Sequence, residues 1–236
     1  VETQRQHAQV IGYFMKADPE NPTGYFKIDT MRSNQFYISS TTSLFTEWTL
    51  GLPGDFCITG GVGFSNMNIE LNDRFVRPGI TRPLQYEKSY SDMISPHVAI
   101  NKVFSRELSV YASYNKGYKA PVAAYFFIPV SITTGFINAD LKPEIGNQFE
   151  VGSKVNLFND KIQYQLAAFH AVFSDKMTAT AVPLDPPAVG TAYSFVSNGG
   201  KHVDNGIEAL VKYTAWESST GFIRLVRPFG NLTYSK

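Results

Sequence analysis

The amino-acid sequence predicts an all-β protein whose antiparallel strands form an up-and-down transmembrane β-barrel. Three observations support this fold class: the composition, the period-two alternation of apolar and polar residues, and the order of short and long connections. Charged residues make up 17% of the 236 residues and aromatic residues make up 14%. A typical soluble domain carries roughly 25% charged residues. Few charges, many aromatic residues and many Ser, Thr, Asn and Gly residues together favour an all-β chain.

Net charge, the length of apolar runs and the cysteine count argue against a nucleic-acid partner, a transmembrane helix and an internal disulfide bond. A net charge of +1 gives no electrostatic reason to expect nucleic acid as a partner. No run approaches the roughly 18 apolar residues that a transmembrane helix needs. The single cysteine, Cys57, cannot form an internal disulfide bond, and we expect it to be a small buried or lipid-facing side chain.

The termini of the chain predict that it is an internal segment of something larger. Val1–Gln6 lacks the charged and then apolar pattern of a signal peptide. Asn231–Lys236 has the pattern of the middle of a strand.

A polar lead-in and a strand-rich domain are predicted along the chain. We expect residues 1–34 to be irregular, with a strong loop signal at Asp18–Gly24. The β domain is expected over residues 35–236, with about eight strands and no helical stretch between them. The predicted strands cover 35–50, 56–75, 89–104, 108–120, 147–158, 162–182, 191–215 and 222–236.

Alternation with a period of two separates charged from apolar residues in the clearest of these runs. Such a period places neighbouring residues on opposite faces of a sheet. A lysine in hydrocarbon costs about 2–4 kcal/mol, so we expect the polar positions to face the interior of the barrel. These interior positions are Ser113, Asn115, Glu150, Lys154, Glu208 and Lys212. The apolar positions expected to face lipid include Val151, Val155, Ile207 and Val211.

Short and long connections alternate strictly along the chain. The short ones are Gly51–Asp55, Ser105–Glu107, Asn159–Lys161 and Glu217–Gly221, and the long ones are about 76–88, 121–146 and 183–190. In an up-and-down meander this order puts all long loops at one end, as in outer-membrane barrels with tight periplasmic turns. An aromatic residue precedes each short turn, which suits a membrane–water interface. These residues are Trp48, Phe104, Phe158 and Trp216.

The run Val110–Pro121, which reads VYASYNKGYKAP, resembles a strand of TonB-dependent outer-membrane receptors. In that family such a strand ends at the cell surface in G-[YF]-[KR]-x-P, and a long loop then leads to L-x-P-E and a strand reading E-x-G-x-K. Leu141–Glu144 and Asn147–Lys154 match these two motifs in order. Looser matches are Phe158–Lys161, Leu166–Phe169, Asn198–Lys201, Asn205–Glu208, and Leu44–Leu50 with Gly60–Phe64, where the usual arginine is absent. The resemblance covers residues 36–236.

The resemblance implies part of a 22-stranded barrel in a bacterial outer membrane. It implies energy-coupled uptake of a scarce solute, most often a ferric siderophore, with outer-membrane lipid around the barrel. The family's plug domain and TonB-contacting segment have no counterpart in this sequence, so contact with the TonB complex is expected through a plug outside it. Gly117 and Pro121 would end a strand at the extracellular rim, because proline lacks an N–H for pairing. Residues 121–146 would form an external loop.

The aromatic residues of that external loop have two possible roles. They either pack on the loop itself and its neighbours, or form part of a surface that binds the solute. The candidate ligand-binding residues are Tyr125, Phe126, Phe127 and Phe136.

Catalytic and metal-binding motifs are not recognisable in the sequence. His7, His97, His170 and His202 have no metal-ligand spacing, and neither a G-x-S-x-G motif nor a P-loop is present. We therefore expect no enzyme activity, no cofactor and no metal site. Two alternatives to a transport receptor remain open: a small closed outer-membrane barrel with a structural or adhesive role, and a soluble all-β binding domain.

Overall fold

The computed structural model describes residues 1–17, 26–76, 78–131 and 133–236, without the side chains of Phe14, Phe26, Lys27, Arg32 and Pro129. One antiparallel sheet of nine strands dominates the described chain. In sheet order its strands are β1 (Glu2–Ala17), β2 (Phe26–Leu52), β3 (Phe56–Asp73), β4 (Gln85–Val103), β5 (Leu108–Lys119), β8 (Glu144–Leu157), β9 (Ile162–Pro183), β10 (Thr191–Tyr213) and β13 (Phe229–Ser235). Two small hairpins pair β6 (Phe127–Pro129) with β7 (Gly135–Ile137), and β11 (Trp216–Glu217) with β12 (Leu225–Val226). A 3₁₀ turn at Ala123–Tyr125 is the only helical element in these ranges.

The expected all-β, up-and-down architecture is confirmed. The order of strands in the sheet follows the order in the chain, and neighbouring strands are antiparallel. The three strands expected within residues 108–182 are β5, β8 and β9. In the described chain the sheet is open, with β1 and β13 as its edges.

Connections of different length lie at opposite ends of the sheet. The short-turn end has the turns 53–55, 104–107 and 158–161, and also the β11–β12 hairpin. The long-loop end has the loops 74–84, 120–143 and 184–190. We call these two ends of the sheet the short-turn end and the long-loop end.

The irregular lead-in expected for residues 1–34 was wrong for the residues described. Glu2–Ala17 form β1, which pairs with β2 from Glu2 opposite Ser43 to Ala17 opposite Phe26. Polar residues occupy both faces of β1, among them Gln4 and Gln9, so the sequence has no period-two contrast to reveal a strand. The expected loop signal Asp18–Gly24 lies outside the described residues.

The strand expected over 222–236 is interrupted. Its regular part begins only at Phe229, and the turn expected at Glu217–Gly221 lies at the tip of the β11–β12 hairpin. Pro228 stands at the interruption, and proline has no N–H to donate to a ladder.

The register of the sheet gives it one polar and one apolar face. Ser113, Glu150, Phe169 and Gly206 lie side by side in one row across four strands. Residues one step along each strand point to the opposite side, where Ala112, Val151, Ala168 and Ile207 form the neighbouring row. We call the side that carries Ser113 and Glu150 the polar face, and the side that carries Val151 and Ile207 the apolar face.

The buried core lies at the long-loop end, on the polar face. Tyr37, Ile69 and Leu71 of β2 and β3 share this face because the ladder between these strands is regular. The loop 120–143 packs on them with Ala123, Phe126, Phe127 and Leu141. This loop therefore covers the polar face rather than extending away from the sheet.

Candidate functional site

A gap opens between β4 and β5 at the long-loop end. Pairing of these strands stops at His97 opposite Asn115. Beyond this point Gln85–Pro96 continues along β3, while Lys116–Lys119 continues along β8. Pro96 is the first residue of β4 beyond the paired part, and its missing N–H suits a position where a ladder ends.

The segment 138–143 of the long loop bridges this gap. On one side, Lys88 Nζ donates to the carbonyl oxygen of Ala139 at 3.1 Å, and Tyr90 Oη donates to that of Leu141 at 2.6 Å. Burial, followed by the nearby Tyr86, raises the pKa of Tyr90 to about 12. The hydroxyl of Tyr90 therefore keeps its proton, and remains a donor, at any physiological pH.

Asn198 holds the same segment on the other side. Its Nδ2 donates to the carbonyl oxygens of Lys142 at 2.9 Å and Asp175 at 2.6 Å, and its Oδ1 accepts from the Lys142 N–H at 2.8 Å. The β9–β10 register shifts between Asn198 and Gly200, and Asp175 adopts a φ of 54°. Aspartate tolerates this left-handed conformation better than most residues. The irregular register thus places an asparagine side chain where it can bind loop backbone.

A cavity of about 940 Å³ lies between the gap and the bridging segment. This volume is in the range of roughly 300–1,000 Å³ that is typical of small-molecule sites. Aromatic rings and charges of both signs line the cavity. The aromatic residues are Tyr90, Tyr118 and Phe195, and the charged residues are Lys88, Lys142, Asp92, Asp140 and Asp175.

A buried ion pair fixes the loop 74–84 beside this region. Arg82 Nη2 and Asp73 Oδ2 are 2.7 Å apart, and their side chains are only 2% and 0% exposed. Asp73 Oδ1 also accepts from the Phe75 N–H at 3.0 Å, and the guanidinium of Arg82 lies 5.4 Å from the centre of the Phe127 ring. The ion pair thus connects one long loop to the aromatic core of another.

Tyr37 extends this buried polar cluster. Burial, followed by the charge of Asp73, raises the pKa of Tyr37 to about 12. Its hydroxyl donates to Gln35 Oε1, and Gln35 is itself buried. Strands β2 and β3 and the loop 74–84 therefore each place buried polar groups in this region.

The four aromatic residues singled out as ligand contacts divide into two pairs. Phe126 and Phe127 are buried in the core, and the ring of Phe126 lies 5.4 Å from that of Tyr86. Neither presents surface to a ligand in this structure. Tyr125 and Phe136 remain partly exposed, and Phe136 meets Tyr193 edge to face at 5.8 Å. None of the four lines the cavity.

The six polar residues expected to face the interior all share the polar face by register. They are Ser113, Asn115, Glu150, Lys154, Glu208 and Lys212. Tyr111 on the same face donates to Glu150 Oε1 at 2.7 Å, and its ring lies 5.8 Å from Lys154 Nζ. These residues are distributed along the sheet and do not meet in the cavity.

Aromatic rings on the polar face lie over glycines of the next strand. A Cβ on Gly152 would come within 2.6 Å of the Tyr111 ring, so a larger residue there would displace the ring. The imidazole of His97 covers Gly61 in the same way, and its Nε2 reaches Glu47 Oε2 at 2.9 Å. Each ring spans a glycine and contacts an acid beyond it.

Sequence reasoning missed the cavity residues Tyr90, Tyr118 and Phe195. Asn198–Lys201 was recognised only as a strand motif, although Asn198 holds the loop. Pro96 within a strand run was the one local signal of a ladder that ends early. The cavity itself depends on contacts between segments distant in sequence.

Among the described residues, no group of three or more His, Cys, Asp or Glu side chains is placed to hold a metal ion. In the same ranges, no helix is long and apolar enough to cross a membrane.

Solved structures with a similar fold include a copper transporter and two receptors. The copper transporter OprC has a TM-score of 0.62 at 16% identity, over 99% of this chain and 34% of that one. The ferric yersiniabactin uptake receptor FyuA from Yersinia pestis has a TM-score of 0.60 at 17% identity, over 99% and 32%. The pyoverdine receptor FpvA from Pseudomonas aeruginosa has a TM-score of 0.58 at 18% identity, over 90% and 27%. The chain thus spans about a third of the length of these proteins.

Comparison with curated protein sequences gives no significant match. The sequence matches the family described as TonB dependent receptor-like, beta-barrel, over residues 2–236. This match covers nearly the whole chain and agrees with the antiparallel meander, the sorted connections and the two faces of the sheet. The chain therefore belongs to the β-barrel family of TonB-dependent receptors.

Proposed function

We propose that this chain forms part of the wall of a bacterial outer-membrane receptor for the energy-coupled uptake of a ferric siderophore. The observation that carries the proposal is the loop 120–143, which folds over the polar face and borders a cavity of about 940 Å³. The aromatic rings and the charges of both signs in its lining suit a bulky, polar chelate. Energy would come from the TonB complex through a plug segment that is not in this chain.

The similar receptors support a metal-chelate substrate, although each name describes only the protein that bears it. FyuA is named for ferric yersiniabactin, FpvA is bound to pyoverdine, and OprC is named for copper. Two of these three names refer to siderophores, and we therefore favour a siderophore over a free metal ion.

The polar face is proposed to line the interior of the barrel. The loop 120–143 lies on this face and reaches from Ile69 and Leu71 of β3 to Val196 of β10, where Asn138 Nδ2 donates to the carbonyl oxygen. A loop can contact such distant strands of one sheet when the sheet curves around it. Glu150, Lys154, Glu208 and Lys212 would then avoid hydrocarbon, while the residues of the apolar face meet lipid.

Tyr125 and Phe136 are proposed as accessory contacts on the outer surface of the loop, because both rings are partly exposed. Phe126 and Phe127 would act indirectly by holding the loop on the core. Tyr118 and Phe195 in the cavity are the stronger candidates for direct contact with the chelate.

The test is uptake of radioactive iron by iron-starved cells of the source bacterium that lack the gene. A panel of purified siderophores loaded with this iron is supplied, and uptake of radioactive copper ion is measured as a separate arm. We expect loss of uptake of one chelate, restoration by the intact gene, and no restoration in a strain without TonB. Uptake of every chelate at the wild-type rate, or a defect only with copper, would contradict the siderophore assignment.

Cavity variants of the intact receptor then locate the site. Tyr118→Ala and Phe195→Ala should weaken binding of the identified chelate to whole cells. The matched control is Tyr164→Ala, an aromatic position of β9 that does not line this cavity, which should leave binding unchanged. Equal binding by all three variants, with equal amounts in the membrane, would place the site elsewhere.

A further inference from the structure

The connection between β10 and β13 differs from the others at the short-turn end. It covers residues 214–228 and contains the β11–β12 hairpin, whereas the neighbouring turns cover 53–55, 104–107 and 158–161. The hairpin is closed near its tip by Ser218 N–H, which donates to the Arg224 carbonyl oxygen at 2.9 Å, and Trp216 Nε1 donates to that of Ile223 at 3.2 Å. It is therefore a built hairpin that extends beyond the level of the other turns.

The large side chains of this hairpin are apolar and uncovered. Phe222, at the tip, is fully exposed. Trp216, Ile223 and Leu225 are each more than half exposed. A hairpin standing in water would have no reason to present four large apolar side chains, since exposed apolar surface of this kind marks an interaction site.

The base of the hairpin is bent relative to the sheet. From Lys212 to Trp216 the chain takes four steps along one strand, while the partner takes three, from Phe229 to Val226. One extra residue on one strand is a β-bulge, which bends a strand and increases its twist. Thr214, in the bulge, is buried, and its N–H donates to the carbonyl oxygen of Lys161 in the adjacent turn at 2.7 Å. The bend is thus fixed at a defined place.

Cations accompany the exposed rings at this end of the sheet. Arg224 and Arg227 belong to the hairpin, and Arg227 Nε donates to Thr214 Oγ1 at 3.1 Å. A similar pairing occurs at β4, four strands from β10, where Lys102 Nζ lies 4.7 Å from the Phe56 ring and 5.6 Å from the Phe104 ring. Phe56 and Lys102 share the apolar face with Leu52. Exposed rings beside cations are typical of a lipid–water interface, with rings at the headgroup level and cations near phosphates.

We infer that the hairpin 214–228 is an interfacial anchor that binds anionic phospholipids of the inner leaflet. Trp216, Phe222 and Ile223 enter the headgroup region, and Arg224 and Arg227 bind lipid phosphate groups. The apolar face of the barrel continues into the hairpin through Tyr213 and Val211. This inference rests on the membrane placement under the proposed function, and it concerns a different end of the molecule from the cavity.

The test uses the full-length receptor in phospholipid vesicles, without native cysteines (Cys57→Ser within this segment). Single spin labels are attached through Phe222→Cys, Val151→Cys and Asp55→Cys. Collision with oxygen, which concentrates in lipid, is compared with collision with a water-soluble nickel chelate. We expect the label at 151 to collide mainly with oxygen and the label at 55 to collide mainly with the nickel chelate. The label at 222 should also collide more with oxygen than with nickel, but by a smaller ratio than the label at 151, because it lies less deep in the membrane.

The label at 151 separates the two proposals. If it favours nickel, the membrane placement itself fails. If it favours oxygen while the label at 222 behaves like that at 55, only the anchor is overturned. Shielding of 222 from both reagents overturns it as well, because a protein partner in the periplasm then covers the hairpin.

A second arm tests the arginines. In vesicles that contain phosphatidylglycerol, the double variant Arg224→Gln and Arg227→Gln should raise nickel collision at 222 several-fold. In phosphatidylcholine alone the same variant should have little effect. Arg106→Gln, in a neighbouring short turn, is the control and should change nothing. No response to the double variant, or an equal response in both lipids, overturns the role of the arginines.

Discussion

The long-loop end and the short-turn half of the sheet are stabilised in different ways. At the long-loop end Ile69, Leu71 and Phe126 are almost completely buried, as in the core of a soluble domain. In the half of the sheet nearer the short-turn end, which we call the short-turn half, apolar side chains on the apolar face are uncovered. Val151 and Ile207 are each 52% exposed. One region packs on itself, and the other presents its apolar surface to its surroundings.

Under the proposed membrane placement, this difference means that one antiparallel sheet meets two different environments. In the half of the sheet nearer the short-turn end, alternate residues would face lipid on one side and a polar interior on the other. At the long-loop end the same strands obtain their apolar burial from a loop that folds back on them. Substitutions in the two regions should therefore have different kinds of consequence.

The largest expected effect is at the ion pair of the long-loop end. Asp73→Ala removes a carboxylate that is paired with the buried guanidinium of Arg82. Breaking a buried pair on one side costs about 3–5 kcal/mol, and the packing of loops 74–84 and 120–143 should loosen by that amount. Hydrogen exchange of backbone amides in these loops, measured in the full receptor, checks the expectation.

Two controls sharpen this experiment. Asp29→Ala removes the acid of the more exposed Lys16–Asp29 pair, whose atoms are 2.8 Å apart, and should cost only about 0–1 kcal/mol. Asp73→Ala combined with Arg82→Ala should recover part of the loss. Unchanged exchange in Asp73→Ala would mean that the pair does not hold the loops.

The next effect concerns the two faces of the short-turn half. Val151→Lys places a charge on the proposed lipid-facing side and should lower the free energy of unfolding by about 2–4 kcal/mol. Ser113→Lys, in the row of Glu150 on the other face, should change it by about 0.5 kcal/mol or less. Urea unfolding of the receptor in vesicles measures both. The reverse order of the two effects would mean that the faces are inverted.

The same comparison explains what could be predicted from the sequence. The strands β5, β8 and β9 and the shared face of Glu150, Lys154, Glu208 and Lys212 follow from local alternation. Strand β1 was missed because polar residues lie on both of its faces, so its sequence has no such alternation. The cavity was missed because it depends on where Asn198 and Tyr90 meet a loop more than 50 residues away in sequence.

A smaller effect is expected from removing the side chain that holds the loop. Asn198→Ala deletes three hydrogen bonds to the backbone of Lys142 and Asp175. Each neutral hydrogen bond contributes roughly 0.5–1.5 kcal/mol. Because water replaces some of these bonds, the segment 138–143 should lose about 1–3 kcal/mol of local stability. Faster amide exchange in this segment is the readout. Asn147→Ala, which loses one bond from Tyr114 Oη on the apolar face, should leave the segment unchanged, and an equal response would contradict the role of Asn198.

The smallest effect is a pH dependence confined to the long-loop end. Burial and Asp73 raise the pKa of Tyr37 from 10.0 to about 12 in the folded protein. The packed state therefore holds the phenol proton more tightly than the unpacked state does. Stability from this group is fully present below pH 10 and is lost as the pH rises toward 12. The loss should be on the order of 1–2 kcal/mol.

A spin label at the exposed Val122 should gain mobility over this pH range, while a label at Val151 should not. Tyr37→Phe has no proton to lose, so its label at 122 should respond less to alkaline pH. An identical response in wild type and Tyr37→Phe would mean that another group causes the alkaline gain of mobility. It would also mean that the proton of Tyr37 does not help to hold the loop.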